Sequence, residues 1–116
     1  MMSDRLFGIH GAALELRSHR MGLLTSNIAN AATPGYQARD IDFASALEAR
    51  LGGTSREDTI EGAARFRVPT MASMDGNTVE LANEQMEFAE NAVAYSATLT
   101  FLTGRVETVK RALKGE

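Results

Sequence analysis

The stretch 79-VELANEQMEFAENAVAYSATLTFLTGRVETVKRAL-113 decides the fold. Within it Leu81, Gln85, Phe88, Ala92, Tyr95, Leu99, Leu102, Val106, Val109 and Leu113 are spaced alternately four and three residues apart, and all but Gln85 are apolar. A 3.5-residue repeat of this kind lies on one seam of an α-helix and winds helices around partners. The charges agree with the helix dipole: Glu80, Glu84 and Glu87 lie at the start, Lys110, Arg111 and Lys114 at the end. Asn77 with Glu80 three residues on reads as a capping box, after a turn at Asp75-Gly76. A continuous helix here would be about 50 Å long, more than a compact domain of this size needs. The pattern therefore predicts a companion helix.

That companion lies at the other end of the chain. Residues from about Asp4 to Asn30 read as a helix capped by Ser3 or Asp4. Leu6, Ile9, Ala13, Leu16 and Leu23 share one stripe, and Phe7, Leu14, Met21 and Ile28 recur every seven residues beside it, so the apolar surface is wider than one partner covers. Gly8, Gly11 and Gly22 each lower helix propensity by up to ~1 kcal/mol relative to Ala, which packing or close helix approach must offset. The helix should stop between Asn30 and Thr33, because Pro34 disfavours helical geometry in the residue before it. Pro34-Gly35 suits the centre of a type II turn, with Tyr36 as anchor.

After the turn, Ile41 and Phe43 alternate with polar neighbours as in an extended segment, and Phe43, Leu47 and Leu51 carry helical spacing behind Asp42 as cap. Gly52-Gly53-Thr54-Ser55 ends that short helix. From there to Met74 the chain is polar, non-periodic and broken by Pro69, and weak order is expected, with Phe66-Arg67-Val68 a short strand if an assembly offers a partner.

The fold class expected is all-α: two long terminal helices in an antiparallel coiled-coil hairpin, with a short helix and a weakly ordered middle segment. Residues 1–35 hold the first helix and its turn, 36–76 the middle segment with its helix at about 43–51 and a flexible loop, and 77–116 the heptad helix; the first and last together make one coiled-coil domain. Neither terminal helix hides its whole apolar surface against the other. With 6% aromatic residues and no Trp, an isolated monomer should be marginal.

Composition narrows function. At 116 residues the chain is one domain, and a net charge of -3 gives no basic face for nucleic acid. The absence of Cys excludes disulfides and thiolate metal sites. No run approaches the ~20 apolar residues that cross a bilayer, and Met1 to Gly11 lack the pattern of a cleavable signal. His10 and His19, nine residues apart, share no ligand face, and Asp40 with Asp42, like Asp75-Gly76-Asn77, lacks the further oxygens of a calcium loop. Ser26 has no identifiable base, and no phosphate loop occurs. No catalytic, cofactor-binding or metal-binding residue is expected, and no enzyme activity. Arg17 and Arg20 interrupt the first apolar stripe, and two accounts stay open: their stems cover apolar surface, or they meet Glu84, Glu87 or Glu90 of a neighbouring helix and fix its register. Gln85 is a polar seam residue of the kind that specifies register.

The strongest local signal is 24-LTSNIANAATPGY-36. By itself it is helix termination by asparagines that bond their own backbone. It also closely resembles the N-terminal signature of bacterial flagellar rod, hook and hook-filament junction proteins, approximately N-[IL]-A-N-x-x-T-P-G-[YF], which Asn27, Asn30, Thr33, Pro34, Gly35 and Tyr36 all match. The stretches 39-RDIDF-43 and 75-DGNTVEL-81, with the helix from Phe43 to Leu51 and the short length, are similar to the proximal rod members of the flagellar basal-body rod protein family. Residues 54 to 74 carry no such likeness.

The resemblance implies a structural subunit that leaves the cytosol through the flagellar export apparatus without a cleavable signal. It would polymerise helically into the torque-transmitting rod that spans the periplasm, in the basal body. Implied partners are copies of itself, other rod proteins, and the rod-base adaptor that joins the inner-membrane ring, with no nucleic acid and no membrane insertion. The helices would form the inner coiled-coil layer through Leu6, Ile9, Leu16 and Leu23 with Leu81, Phe88, Tyr95, Leu99, Leu102, Val106, Val109 and Leu113. The competing readings are a cytosolic helical adaptor or export chaperone, and a small helical enzyme.

Overall fold

The computed structural model describes residues 2–71 and 73–115, with side chains from Gly8 onward. Two long helices, α1 (Met2–Ala29) and α4 (Leu81–Lys114), frame a middle segment of β1 (Arg39–Ile41), α2 (Phe43–Leu51), α3 (Arg56–Ala63) and β2 (Ala64–Phe66). The long helices are antiparallel. Asn27 meets Glu84, Arg20 meets Glu87, Arg17 meets Asn91, and the rings of His10 and Phe101 lie 4.5 Å apart. The molecule is correspondingly elongated, 64 × 26 × 17 Å.

The middle segment is a small lobe on the flank of α1. Asp42 caps α2 by accepting the Ser45 N–H, as the sequence predicts. Leu16 of α1, Ile41, Ala46 and Ala63 form the apolar core, with Leu23, Phe43 and Leu47 packed against it. The Arg17 guanidinium lies 4.1 Å above the Phe43 ring, so its stem and charge both cover this core. Leu16 and Leu24 are fully buried, each contributing about 2 kcal/mol of apolar transfer. Much of the remaining core is alanine. Polar contacts must then supply much of the specificity.

Four expectations change. The segment between 52 and 76 carries regular structure: Ser55 caps α3 by accepting the Asp58 N–H, and β2 pairs antiparallel with β1 within the same chain, Arg39 opposite Phe66 and Ile41 opposite Ala64. The strand is thus Ala64–Phe66 and needs no assembly. Neither Ser3 nor Asp4 is an N-cap, because α1 already runs from Met2. Asn77 does not cap α4, which begins at Leu81 behind Glu80 with no side-chain cap. Instead the Glu80 carboxylate takes the Thr70 hydroxyl and N–H, bonds that hold its pKa below the usual carboxylate range.

The fourth change concerns the seam of α4. The α4 residues that meet α1 are Glu84, Glu87, Asn91 and Phe101, one step before the repeat positions Gln85, Phe88, Ala92 and Leu102. Phe88, Tyr95 and Leu102 are half-buried at the edge of the contact, while Gln85, Leu99 and Val106 are exposed. Towards the far end Leu99 remains 46%, Val106 42%, Val109 42% and Leu113 82% exposed. On α1, Leu16 is buried and Leu23 half-buried, but both pack against the lobe core of Ile41, Ala46 and Ala63; Ile9 is 39% exposed, and the Leu6 side chain lies outside the described residues.

Candidate functional site: a polar clasp at the closed end of the hairpin

The α1 helix ends at Ala29, and beyond it Pro34 with Gly35, at φ +74°, makes a tight turn closed by the Tyr36 N–H donating to the Thr33 carbonyl at 3.2 Å. This is the type II arrangement, in which the third residue must occupy the left-handed region. Asn30 donates its amide to the Ser26 carbonyl at 2.8 Å and accepts the Thr33 hydroxyl at 3.1 Å, tying the last helical turn to the loop. The carbonyls of Asn30, Ala31 and Thr33 all accept from one distant side chain, the Asn77 amide, at 3.0, 3.1 and 2.7 Å. Asn77 therefore closes the C-terminal end of α1 rather than the N-terminal end of α4. Its own loop is set by Asp75, whose carbonyl accepts the Gly35 N–H at 2.8 Å. The Ser73 hydroxyl holds the Asp75 carboxyl below its usual range.

Asn27 is the hub. It is fully buried, and its amide donates to the Arg39 carbonyl at 2.8 Å and to Glu84 Oε2 at 2.9 Å. Its oxygen accepts the Arg39 N–H at 3.0 Å and the Tyr36 hydroxyl at 3.3 Å. Every bond an asparagine side chain can make is made, joining α1, β1 and α4 at one point.

Around this hub lies an ion network. Arg20 donates to both Asp40 oxygens, at 2.8 and 2.9 Å, and to Glu87 at 2.6 Å. Arg67 donates to Asp40 at 3.0 Å and to Glu84 at 3.0 Å. The Asp40 hydrogen bond, with its charge and Glu87, raises the Arg20 pKa against the opposing effect of burial. Glu84 is fully buried, so its carboxylate depends on Arg67 and Asn27. Asn91 adds a further polar contact, donating to the Arg17 carbonyl at 2.8 Å.

All six motif residues meet at this closed end. The seam residues are strung along α4 instead and share no common site. Arg20 does reach Glu87, but within one chain; Arg17 turns to Phe43, and Glu90 is exposed. Sequence reasoning missed Asp40, Arg67, Glu84 and Asn77 as members of one network, and a Glu one step off an apolar repeat carries no signal of burial. Among the described residues no group of acids and histidines is arranged to hold a metal ion, and the carboxylates of Asp40, Glu84 and Glu87 are each bonded by an arginine. The chemistry of the site is recognition between segments of the chain.

Comparison with known proteins bears on the same residues. The model for the family described as "Flagella basal body rod protein" matches residues 8–37, which hold Asn27 and the turn. The flagellar basal body rod protein FlgB of Cereibacter sphaeroides is 50% identical, over 94% of this chain and 94% of the relative. FlgB of Aeromonas hydrophila is 40% identical over 97% and 96%, and FlgB of Escherichia coli (strain K12) 38% identical over 88% of each. The motif, the helical hairpin it closes and these end-to-end likenesses agree: the chain belongs to the FlgB family of flagellar basal body rod proteins.

Proposed function

We infer that this chain is a structural subunit of the flagellar basal-body rod, and propose that it polymerises helically with copies of itself through the apolar side of α4. The observation that carries this is the line of Leu81, Leu99, Val106, Val109 and Leu113, which α1 leaves 42–82% exposed along one helix. Covering it would contribute about 5 kcal/mol per subunit at ~2 kcal/mol for each fully buried side chain, enough to drive a repeated heterologous contact but not to hold a dilute pair. Folding of the far end of α4 is then coupled to assembly, which limits polymerisation before export.

In this reading residues 1–35 and 77–116 form the inner coiled-coil domain, Leu6 and Ile9 join the seam while Leu16 and Leu23 hold the lobe against α1, and the lobe of residues 36–76 makes lateral contacts. Side-by-side helices give the rod torsional stiffness for torque across the periplasm. Neighbouring rod proteins and the rod-base adaptor cap the stack and link it to the inner-membrane ring, after passage through the export apparatus. The role is structural rather than enzymatic. Deleting the protein should abolish the rod while leaving the inner-membrane ring intact in isolated basal bodies, and restoring it with Val106→Ser/Val109→Ser should not rescue rod assembly. A rod built normally by that variant would refute the seam. So would a dilute monomer whose amides are protected to the end of α4.

A further inference from the structure

We propose that Glu84 and Asn91 set the rotation of α4 about its own axis, so that the chain pairs with itself through a polar seam and keeps the adjacent apolar seam outward. On apolar burial alone, α1 should sit against Gln85, Phe88, Ala92, Tyr95 and Leu99. It sits one residue earlier, against Glu84, Glu87 and Asn91, a turn of roughly 100° about the helix. The bonds that hold this position are specific to it. Glu84 is reached at once by Asn27 from α1 and by Arg67 from the segment after β2, and Asn91 donates to the Arg17 carbonyl with Met21 Sδ at 3.4 Å.

Turning α4 to its apolar side would strand the Asn27 amide and remove Arg67 from its buried carboxylate. The arrangement has a local cost, since Asn91 Oδ1 is buried without a partner. A polar seam residue that lowers stability while choosing one alignment is a known device of paired helices. Its product here is the outward position of Leu99 and Val106, which rests on the assembly reading above.

The chain has no Cys, so introduced cysteines report position cleanly. His10→Cys/Phe101→Cys, placed where the two rings lie 4.5 Å apart, reads the rotation within one chain through a short bifunctional maleimide. Leu99→Cys alone reads the outward seam through links between copies. Both are compared with and without Glu84→Ala/Asn91→Ala, which removes the polar contacts without building a competing apolar seam. If the pins act as proposed, the 10–101 link falls about tenfold in the still-helical variant and the Leu99 link between copies falls with it. An unchanged 10–101 link in a folded variant overturns the proposal. If the double variant does not fold, Asn91→Ala alone is read by the same two links and decides in the same way. Absence of the Leu99 link in the otherwise native chain would instead sink the assembly reading, while the 10–101 link continues to report the rotation.

Discussion

Replacing Arg67 with Met removes the side chain that bridges Asp40 and Glu84 while keeping most of its length. Arg67 lies 3.0 Å from each carboxylate, and Glu84 has no exposure to water. After the change Asp40 retains Arg20, but Glu84 keeps only the Asn27 amide at 2.9 Å. Removing one partner of a buried ion pair costs ~3–5 kcal/mol. Because Asn27 stays in place and Arg67 is itself 24% exposed, the lower end, about 3 kcal/mol, applies here. Against a total stability of about 5–15 kcal/mol for a domain this is a large fraction. In urea, at a slope of about 2 kcal/mol per molar, the midpoint of unfolding should fall by about 1.5 M with the slope unchanged. Adding Glu84→Gln to Arg67→Met should restore at least about half of the loss, because a neutral amide does not require the cation. A midpoint change below ~0.5 M, or losses that simply add in the double variant, would refute the buried-charge account.

Two further outcomes follow from single residues. Burial, and secondarily the Arg56 guanidinium, hold the His19 pKa below its ordinary 6.5, so the folded chain binds that proton less well than the unfolded one. The associated stability is present above pH 6.5 and lost as pH falls below it; urea midpoints measured at about pH 7 and about pH 5 should differ by less in His19→Gln than in the native chain. Gly35→Ala should lower the thermal midpoint by about 4 °C, corresponding to ~1 kcal/mol, from backbone strain alone. An added Cβ there meets no atom within 4 Å, so Gly35→Asn, which tolerates the left-handed region better, should lose less.

The long helices were legible because periodicity is a local property, and so was α2, whose Asp42 cap and Phe43-Leu47-Leu51 spacing lie within one short stretch. The turn at Pro34-Gly35 was legible for the same reason, since the dipeptide restricts its own dihedral angles. The α3 helix was hidden. Its Ser55-to-Asp58 cap was present in the sequence, but Arg56, Glu57, Asp58 and Glu61 leave no apolar stripe to announce it. Glu84 and Asn91 were illegible in a deeper sense. Apolar pattern says which face of α4 is greasy, and the face turned to α1 was chosen by Asn27, Arg67 and the Arg17 carbonyl, which lie from 17 to 74 residues away. The motif asparagines were visible as residues, while their partners could be found only in three dimensions.

The Asn77 amide on the end of α1 also orders events in time. Its contacts with Asn30 close a loop of 47 residues, and those of Asn27 with Glu84 and Arg20 with Glu87 enclose it in loops of 57 and 67. These loops are nested, and the entropy of closing a loop grows only as the logarithm of its length, ~0.6 kcal/mol for each doubling. Once Asn77 has docked, each outer contact has only the short segments between it and the inner one left to close, which costs less entropy than closing the full loop afresh. The hairpin therefore zips from its turn towards His10 and Phe101, and the two free ends are the last part of the molecule to find each other.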